Sequence, residues 1–358
     1  MPTIAADRME AMMATIAKAN GSSDDEARLI ATNLVEANLK GHDSHGIGLM
    51  PTYVNASQFG KLRPNRHISV VKDDGAILLL DGNAGYGQAI GVEAMQLGIE
   101  RAKEHGMCLM SLRNSHHLGR IGAWGEMAAD AGLISIHWVN GITKMPLVAP
   151  YGGSDARYTT NPYCTAIPET PEHPRIIFDM ATTKVAQGKV RVAFNKGVEV
   201  PPDCLIDNRG VMTQDPSVMF NEPTGALMSV GQHKGYGLAL ICEILAGGLS
   251  GGGTFLPERS DGWSIINNML TIIVDPARLG STDALLAEVD MFIKHVKASP
   301  PAPGVEEVMV PGDPERKSSA ERSANGLPID DQTWEELVQC AIQVGIAEDV
   351  ARGFGNPA

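Results

Sequence analysis

Strand-like and helical segments alternate from residue 68 onward, which predicts an α/β fold with helices packed on a central sheet. Two further observations shape that expectation. Helical periodicity stands at both ends of the chain, and 358 residues suffice for two or three domains with a sizeable core.

Residues 4–18 are helical by apolar period, and Ser22 or Ser23 caps a second helix whose Asp24, Asp25 and Glu26 suit the positive end of its dipole. Ala27, Ala31, Leu34 and Val35 give that helix an apolar stripe, and Gly41 stops it. A third helix is expected over 49–60, with Pro51 tolerated in its first turn. Residues 69–72 and 76–80 read as strands around an Asp74-Gly75 turn. Next come a helix over 87–105, a strand over 107–112, a helix over 118–131 and a strand over 133–139. Prolines and glycines make 140–175 irregular, 175–179 reads as a buried strand, and 183–195 as a helix. After a loop-rich 209–230, an apolar helix is expected over 233–249, then a flexible Gly251-Gly252-Gly253. A strand over 269–274 and a helix over 284–297 follow. Residues 299–328 look like an exposed arm or linker, and Asp330 or Asp331 caps a last helix over 332–344.

The net charge of −13 argues against a nucleic-acid partner, because phosphate binding needs a basic face. Five widely spaced cysteines without a Cys-x-x-Cys pair fit a reduced, cytoplasmic protein with buried thiols. The first segment is amphipathic, unlike a signal peptide, and no apolar run approaches the ~20 residues of a membrane span.

Chemistry-bearing side chains concentrate in two stretches. One runs from Gly41 to Tyr53 (GHDSHGIGLMPTY) and holds His42, Asp43, Ser44 and His45. The other is Asn114-Ser115-His116-His117-Leu118-Gly119-Arg120. Imidazole holds or releases a proton near neutral pH, so two such clusters point to general acid–base chemistry if the fold brings them together. The same side chains are competent metal ligands, but their spacing matches no standard metal motif and no metal is expected. No Gly-x-Ser-x-Gly elbow appears and no cysteine adjoins either cluster, so nucleophilic catalysis is not favoured. Gly85-Tyr86-Gly87-Gln88-Ala89-Ile90-Gly91 admits a dinucleotide-binding turn, yet the following strand ends in Arg113-Asn114 where an acid is required.

Six ordered motifs carry a resemblance over nearly the whole chain. They are His42 to Gly46, Asn114 to Gly119, Thr160-Asn161-Pro162, Asp179 to Thr183, His233 to Tyr236 and Pro311 to Asp313. Together they resemble the malate/L-lactate dehydrogenase family of nicotinamide-dependent 2-hydroxyacid oxidoreductases. The resemblance implies a sulfolactate-dehydrogenase-like, non-Rossmann α/β fold with a mixed central sheet. It also implies a helical segment 1–70 packed with the C-terminal region, a central region 71–304 for cofactor and substrate, and 305–358 returning to the N-terminal segment. Homodimers, an NAD or NADP cofactor, and hydride transfer between 2-oxoacids and 2-hydroxyacids are implied with it.

Residue by residue, the resemblance makes His45 and His117 the catalytic candidates, without ranking them. Ser44, Tyr53 and Arg120 fall to the substrate. His45, Gly119, Asn140, Asn161, Asp179, Met180, Ala181, Thr182, Thr183, His233, Lys234, Asn267, Gly312, Asp313 and Glu315 fall to the cofactor, the last three on the mobile arm. Asp43 and Ser44 are candidates to orient an imidazole. One departure stands out: many relatives carry an Arg where this chain has Leu49, and such a residue grips a carboxylate bidentately. Arg120 is the expected replacement, and Leu49 hints at a bulkier, aryl substrate. The rival readings are a cyclic 2-imino acid reductase and a cofactor-binding protein with little turnover.

Overall fold

The computed structural model describes residues 3–355. It begins with strand β1 (Thr3–Ile4), helices α1 (Ala6–Ala19) and α2 (Asp24–Leu39), short 3-10 turns at Asp43–His45 and Ile47–Leu49, and helix α3 (Met50–Gln58). Ser23 caps α2 by accepting from the Glu26 amide at 3.2 Å. Then come β2 (Ser69–Asp74), β3 (Ile77–Asp81), α4 (Gly87–His105), β4 (Met107–His116), α5 (Gly122–Asp130) and β5 (Ile134–Ile142). β6 (Tyr163–Ile167), β7 (Ile176–Met180), α6 (Gln187–Lys196), and the two-residue strands β8 (Leu205–Ile206), β9 (Met212–Thr213) and β10 (Ala226–Leu227) follow. The rest is α7 (His233–Cys242), β11 (Ile266–Val274), α8 (Thr282–Lys297), α9 (Asp313–Asn325), β12 (Leu327–Pro328), α10 (Asp331–Gln343) and α11 (Glu348–Gly353).

Seven strands form one sheet in the order β2-β3-β4-β11-β5-β6-β7. β3 and β4 run parallel, and the other neighbouring pairs run antiparallel. The sheet is therefore mixed, not the parallel array of a dinucleotide-binding fold. The glycines around Gly87 serve packing instead. A Cβ on Gly87 would lie 2.0 Å from the His117 carbonyl oxygen, and one on Gly91 would lie 2.5 Å from the Trp124 ring. Both ends of the chain share a second core, in which Met9, Ile16, Leu34 and Tyr53 pack with Leu327, Leu337 and Val338. Full burial of such side chains stabilises by about 1.5–3 kcal/mol each. β1 pairs with β12 in the same unit.

Several expectations need correction. The irregular 140–175 contains β6, whose Cys164 and Ala166 alternate inward, and β5 extends through Ile142. β7 lies at the sheet edge with Phe178 exposed, so it is not a buried strand. The helix expected from residue 118 starts at Gly122, because Gly119 is left-handed (φ +68°) and the Leu118 amide is drawn to Asn267. The helix expected from 183 starts at Gln187, since Thr183 bridges to Ser229. The helix expected over 233–249 becomes a π-helix at Glu243–Gly248, where Glu243 turns inward to accept from Asn140, Asn161 and the Phe255 amide. The arm expected over 299–328 holds the ordered helix α9 and strand β12, fixed by polar contacts to α2 and the His42–Asp43 turn.

Candidate active site

The sheet delivers His117. β4 ends at His116, whose amide donates to the Gly85 carbonyl at 3.0 Å, and Leu118 donates to Asn267 Oδ1 at 2.8 Å. Side chains alternate along a strand, so His116 and His117 part company. His116 is buried, with Nε2 accepting from the Ile265 amide at 3.4 Å and its ring edge-on to Tyr53. His117 keeps an accessible edge. Tyr53 Oη, fully buried on α3, lies 2.7 Å from His117 Nδ1 and accepts from Gln88 Nε2 at 3.1 Å. With Gln88 donating to the phenol oxygen, His117 Nδ1 is the one acceptor among the described contacts for the phenol's own hydrogen, so this arrangement leaves no buried hydrogen unpaired. Neutral His117 then carries its proton on Nε2.

The other ring arrives on a turn between α2 and α3. Asn38 bridges that turn, its Nδ2 donating to Asp43 at 2.7 Å and its Oδ1 accepting from the Ile47 amide at 2.8 Å. A Cβ on Gly46 would fall 1.9 Å from Asn38 Oδ1, so a side chain here would displace the amide that bridges the turn. Ser44 Oγ lies 3.0 Å from His45 Nδ1, as an orienting hydroxyl should. Asp43 does not orient a ring: its carboxylate accepts both Arg322 nitrogens, at 2.6 and 3.1 Å. His42 turns to Glu315 at 3.1 Å.

The two loops meet. The rings of His45 and His117 stack with centroids 5.6 Å apart and planes 22° apart. Burial, followed by the nearby His42 and Arg120 charges, lowers the His45 pKa to about 4. Burial, then the other two imidazoles, holds His117 well below the usual value. Among the described residues, no three His, Cys, Asp or Glu side chains are arranged to hold a metal ion.

Arg120 follows the His117 loop and is 3% exposed. Its Nη2 donates to Glu126 at 2.6 Å, while its buried Nη1 has no partner. Burial alone would raise the Glu126 carboxyl, but Arg120, Lys40 and Arg175 hold it below its ordinary value. Asp179, at the end of β7, accepts from the Gly122 amide at 2.7 Å, and burial raises its carboxyl despite Arg120. At the position where Leu49 replaces the expected Arg, the side chain packs on the helical core.

A family model for malate/L-lactate dehydrogenase matches residues 4–338. The chain belongs to that family. It is thus a 2-hydroxyacid oxidoreductase by descent. It is 43% identical over 98% of its length to hydroxycarboxylate dehydrogenase B of Escherichia coli K12, covering 96% of that protein. The solved sulfolactate dehydrogenase of Methanocaldococcus jannaschii superposes with a TM-score of 0.84 at 30% identity, covering 97% of this chain and 99% of that one. A Δ1-piperideine-2-carboxylate reductase from Pseudomonas syringae superposes at 0.80 with 26% identity, over 95% of this chain and all (100%) of that one.

In this dehydrogenase the remaining family positions fall into groups. Asp179, Met180, Ala181, Thr182 and Thr183 end β7 and run beside the entry to α7: Val230 donates to the Thr182 carbonyl at 2.9 Å, and His233 and Lys234 are exposed just beyond. Asn140 and Asn161 commit their amides to buried Glu243, and Asn267 bridges Leu118 to Asn140, so all three fix loops from behind. Gly312 and Asp313 open α9 on no mobile arm: Asp313 is engaged by Lys297 at 2.8 Å, by Arg316 and by the Val310 amide. Gln88, Asn38 and Arg322 are contributors that the motifs did not reveal. A polar Gln88 on the buried face of an otherwise apolar helix start was the one available signal.

Proposed function

We propose that the chain interconverts 2-oxoacids and 2-hydroxyacids with a nicotinamide cofactor, His45 exchanging the proton. The observation that carries this is the facing imidazole pair. Each ring has its Nδ1 taken by a hydroxyl, Ser44 for His45 and Tyr53 for His117, which leaves both Nε2 atoms toward a ligand. A nicotinamide, when bound, gives or takes the hydride at the substrate's C2.

The protein's share is charge, orientation and proton movement. His117 presents Nε2–H as a fixed donor to the oxygen on C2. His45 is different, because a Ser44 hydroxyl rotates to serve either tautomer. With a pKa near 4 in the free site, His45 is neutral at pH 7 and takes the hydroxyl proton during oxidation. In the reverse direction an arriving carboxylate favours the imidazolium, which then protonates the carbonyl oxygen as charge develops there.

Buried Arg120 Nη1, a cationic donor without a protein partner, suits the substrate carboxylate that Leu49 does not hold. For the cofactor, Asn33 Oδ1 and Gln88 Oε1 are buried acceptors without partners, and the Asn33 atom lies 2.8 Å from where a Gly119 Cβ would be. Orphaned acceptors beside Gly119 fit a carboxamide N–H group. The Asp179 to Thr183 edge and Lys234 at the start of α7 fit ribose and phosphate. Exposed Leu240, Ile241, Ile244 and Leu249, on and just after α7, support a homodimer, for which a monomer mass in sedimentation equilibrium would be the contrary result.

The test is a panel of 2-oxoacids against NADH and NADPH, read by loss of nicotinamide absorbance. Turnover of 2-oxoacids is expected. Cyclic 2-imino acids are run beside the panel, and their turnover alone would favour the reductase reading, which the Pseudomonas syringae relative supports. Arg120→Ala is expected to raise KM for the oxoacid; an unchanged KM with weakened cofactor binding would contradict the carboxylate role.

A further inference from the structure

Helix α9 contributes no buried residue and would be expected to drift from the surface, yet it lies against the turn that carries His45. Glu315, Ser318 and Arg322 are spaced three and four residues apart, so they form a single stripe along α9. Each reaches the same target. Glu315 meets His42 at 3.1 Å, Ser318 Oγ donates to the Leu39 carbonyl at 2.9 Å, and Arg322 grips Asp43 while also donating to the Asn38 carbonyl. Gly41 leaves room for this approach: a Cβ there would sit 3.1 Å from Ser318 Oγ.

Arg322 holds the strongest of these contacts. Asp43 is 53% exposed against 19% for Arg322, so it is the bidentate geometry that sets the contact apart from an ordinary surface pair, which contributes little. Asp43 opens the 3-10 turn that ends at His45, so fixing Asp43 fixes where the imidazole leaves the backbone. The only other side chain holding that carboxylate among the described contacts is Asn38. Arg322 also donates to the Asn38 carbonyl in the last turn of α2, which accepts from the Gly41 amide as well, so the guanidinium ties the helix end to the turn.

We propose that α9 is a polar splint for the His45 turn and that Arg322 is a positioning residue for His45, reaching it through Asp43. The proposal rests on the reading of His45 as the proton-exchanging group. A displacement of about 1 Å at such a group is enough to lower turnover by up to a hundredfold.

Two readouts on Arg322→Ala decide it. Amide hydrogen exchange over residues 41–47 is expected to speed up, and kcat for a 2-oxoacid to fall about tenfold or more while the Kd for reduced cofactor stays at the wild-type value. Arg322→Lys should recover part of kcat, and Glu321→Ala, on an exposed position of the same helix, should leave both readouts unchanged. Should Arg322→Ala fail to fold, Ser318→Ala takes its place with the same readouts, expected to be smaller. Unchanged exchange over 41–47 would overturn the proposal, as would faster exchange with kcat intact. Wild-type protein without turnover on any 2-oxoacid would instead defeat the functional reading, and the exchange arm would still decide whether α9 holds the turn.

Discussion

The two histidine loops are held in different ways. His117 hangs from the sheet: backbone hydrogen bonds from His116 and Leu118 and the close approach of Gly87 define its position, and the Gln88–Tyr53 chain defines its tautomer. His45 sits outside the sheet on a 3-10 turn, closed by its own short-range backbone hydrogen bonds and anchored to its surroundings by side chains, Asn38 on α2 and Arg322 on α9 among them, with a rotatable hydroxyl at its ring. The first ring has one protonation geometry built in. The second can accept and release a proton without leaving a buried hydrogen unpaired. A fixed donor opposite an adaptable acid–base is what a reversible carbonyl–hydroxyl conversion asks of its site.

Substitutions can break that contrast. His45→Gln keeps a hydrogen-bonding side chain but no transferable proton, and turnover is expected to fall about 10²–10⁴-fold, measured as kcat. His117→Gln, which can still donate, should lose far less. Next in size, Gly87→Ala places a methyl against the His117 carbonyl, where backbone cannot yield, and should destabilise by about 1–3 kcal/mol or more in denaturant unfolding. Gly46→Ala meets only the Asn38 amide, a side chain able to shift, so its stability loss should be the smaller of the two while its kcat loss is the more prominent. Tyr53→Phe removes the donor to His117 and strands the Gln88 amide, a loss of about 1–3 kcal/mol in stability with a kcat effect well below that of His45→Gln.

A collective effect, summed over several buried histidines, concerns pH. Burial lowers the pKa of His116 and His137 to about 3 and that of His45 to about 4. Below the unfolded value near 6.5, the unfolded chain binds protons that the folded chain refuses. Stability is therefore intact above about pH 6.5 and falls as the pH drops, by roughly 1.4 kcal/mol per pH unit for each fully buried histidine. The Tm at pH 5 should lie below that at pH 7, and replacing His137 with Asn should flatten the dependence.

Much of this was legible in the sequence, and the rest was not for physical reasons. The strand–helix alternation and the pairing of His45 with His117 follow from apolar period and from ordered motifs. Helix α9 escaped because DPERKSSAERSAN has no apolar stripe, and its partners Asn38, Leu39 and Asp43 lie far away in the chain. β6 was hidden between Pro162 and Pro168, and Phe178 read as core because a strand's edge position is set by topology alone. The π turn at Glu243 depends on asparagines from two other segments.

The unequal roles of the two rings are most directly tested by ¹⁵N NMR of the histidine side chains, with His45→Gln and His117→Gln used for assignment. His117 is expected to remain the Nε2–H tautomer through the neutral range, while His45 titrates from a pKa near 4 and shifts upward when a non-reducible 2-oxoacid analogue binds. A His117 that carries its proton on Nδ1, or that titrates in place of His45 when the analogue binds, would contradict the assignment.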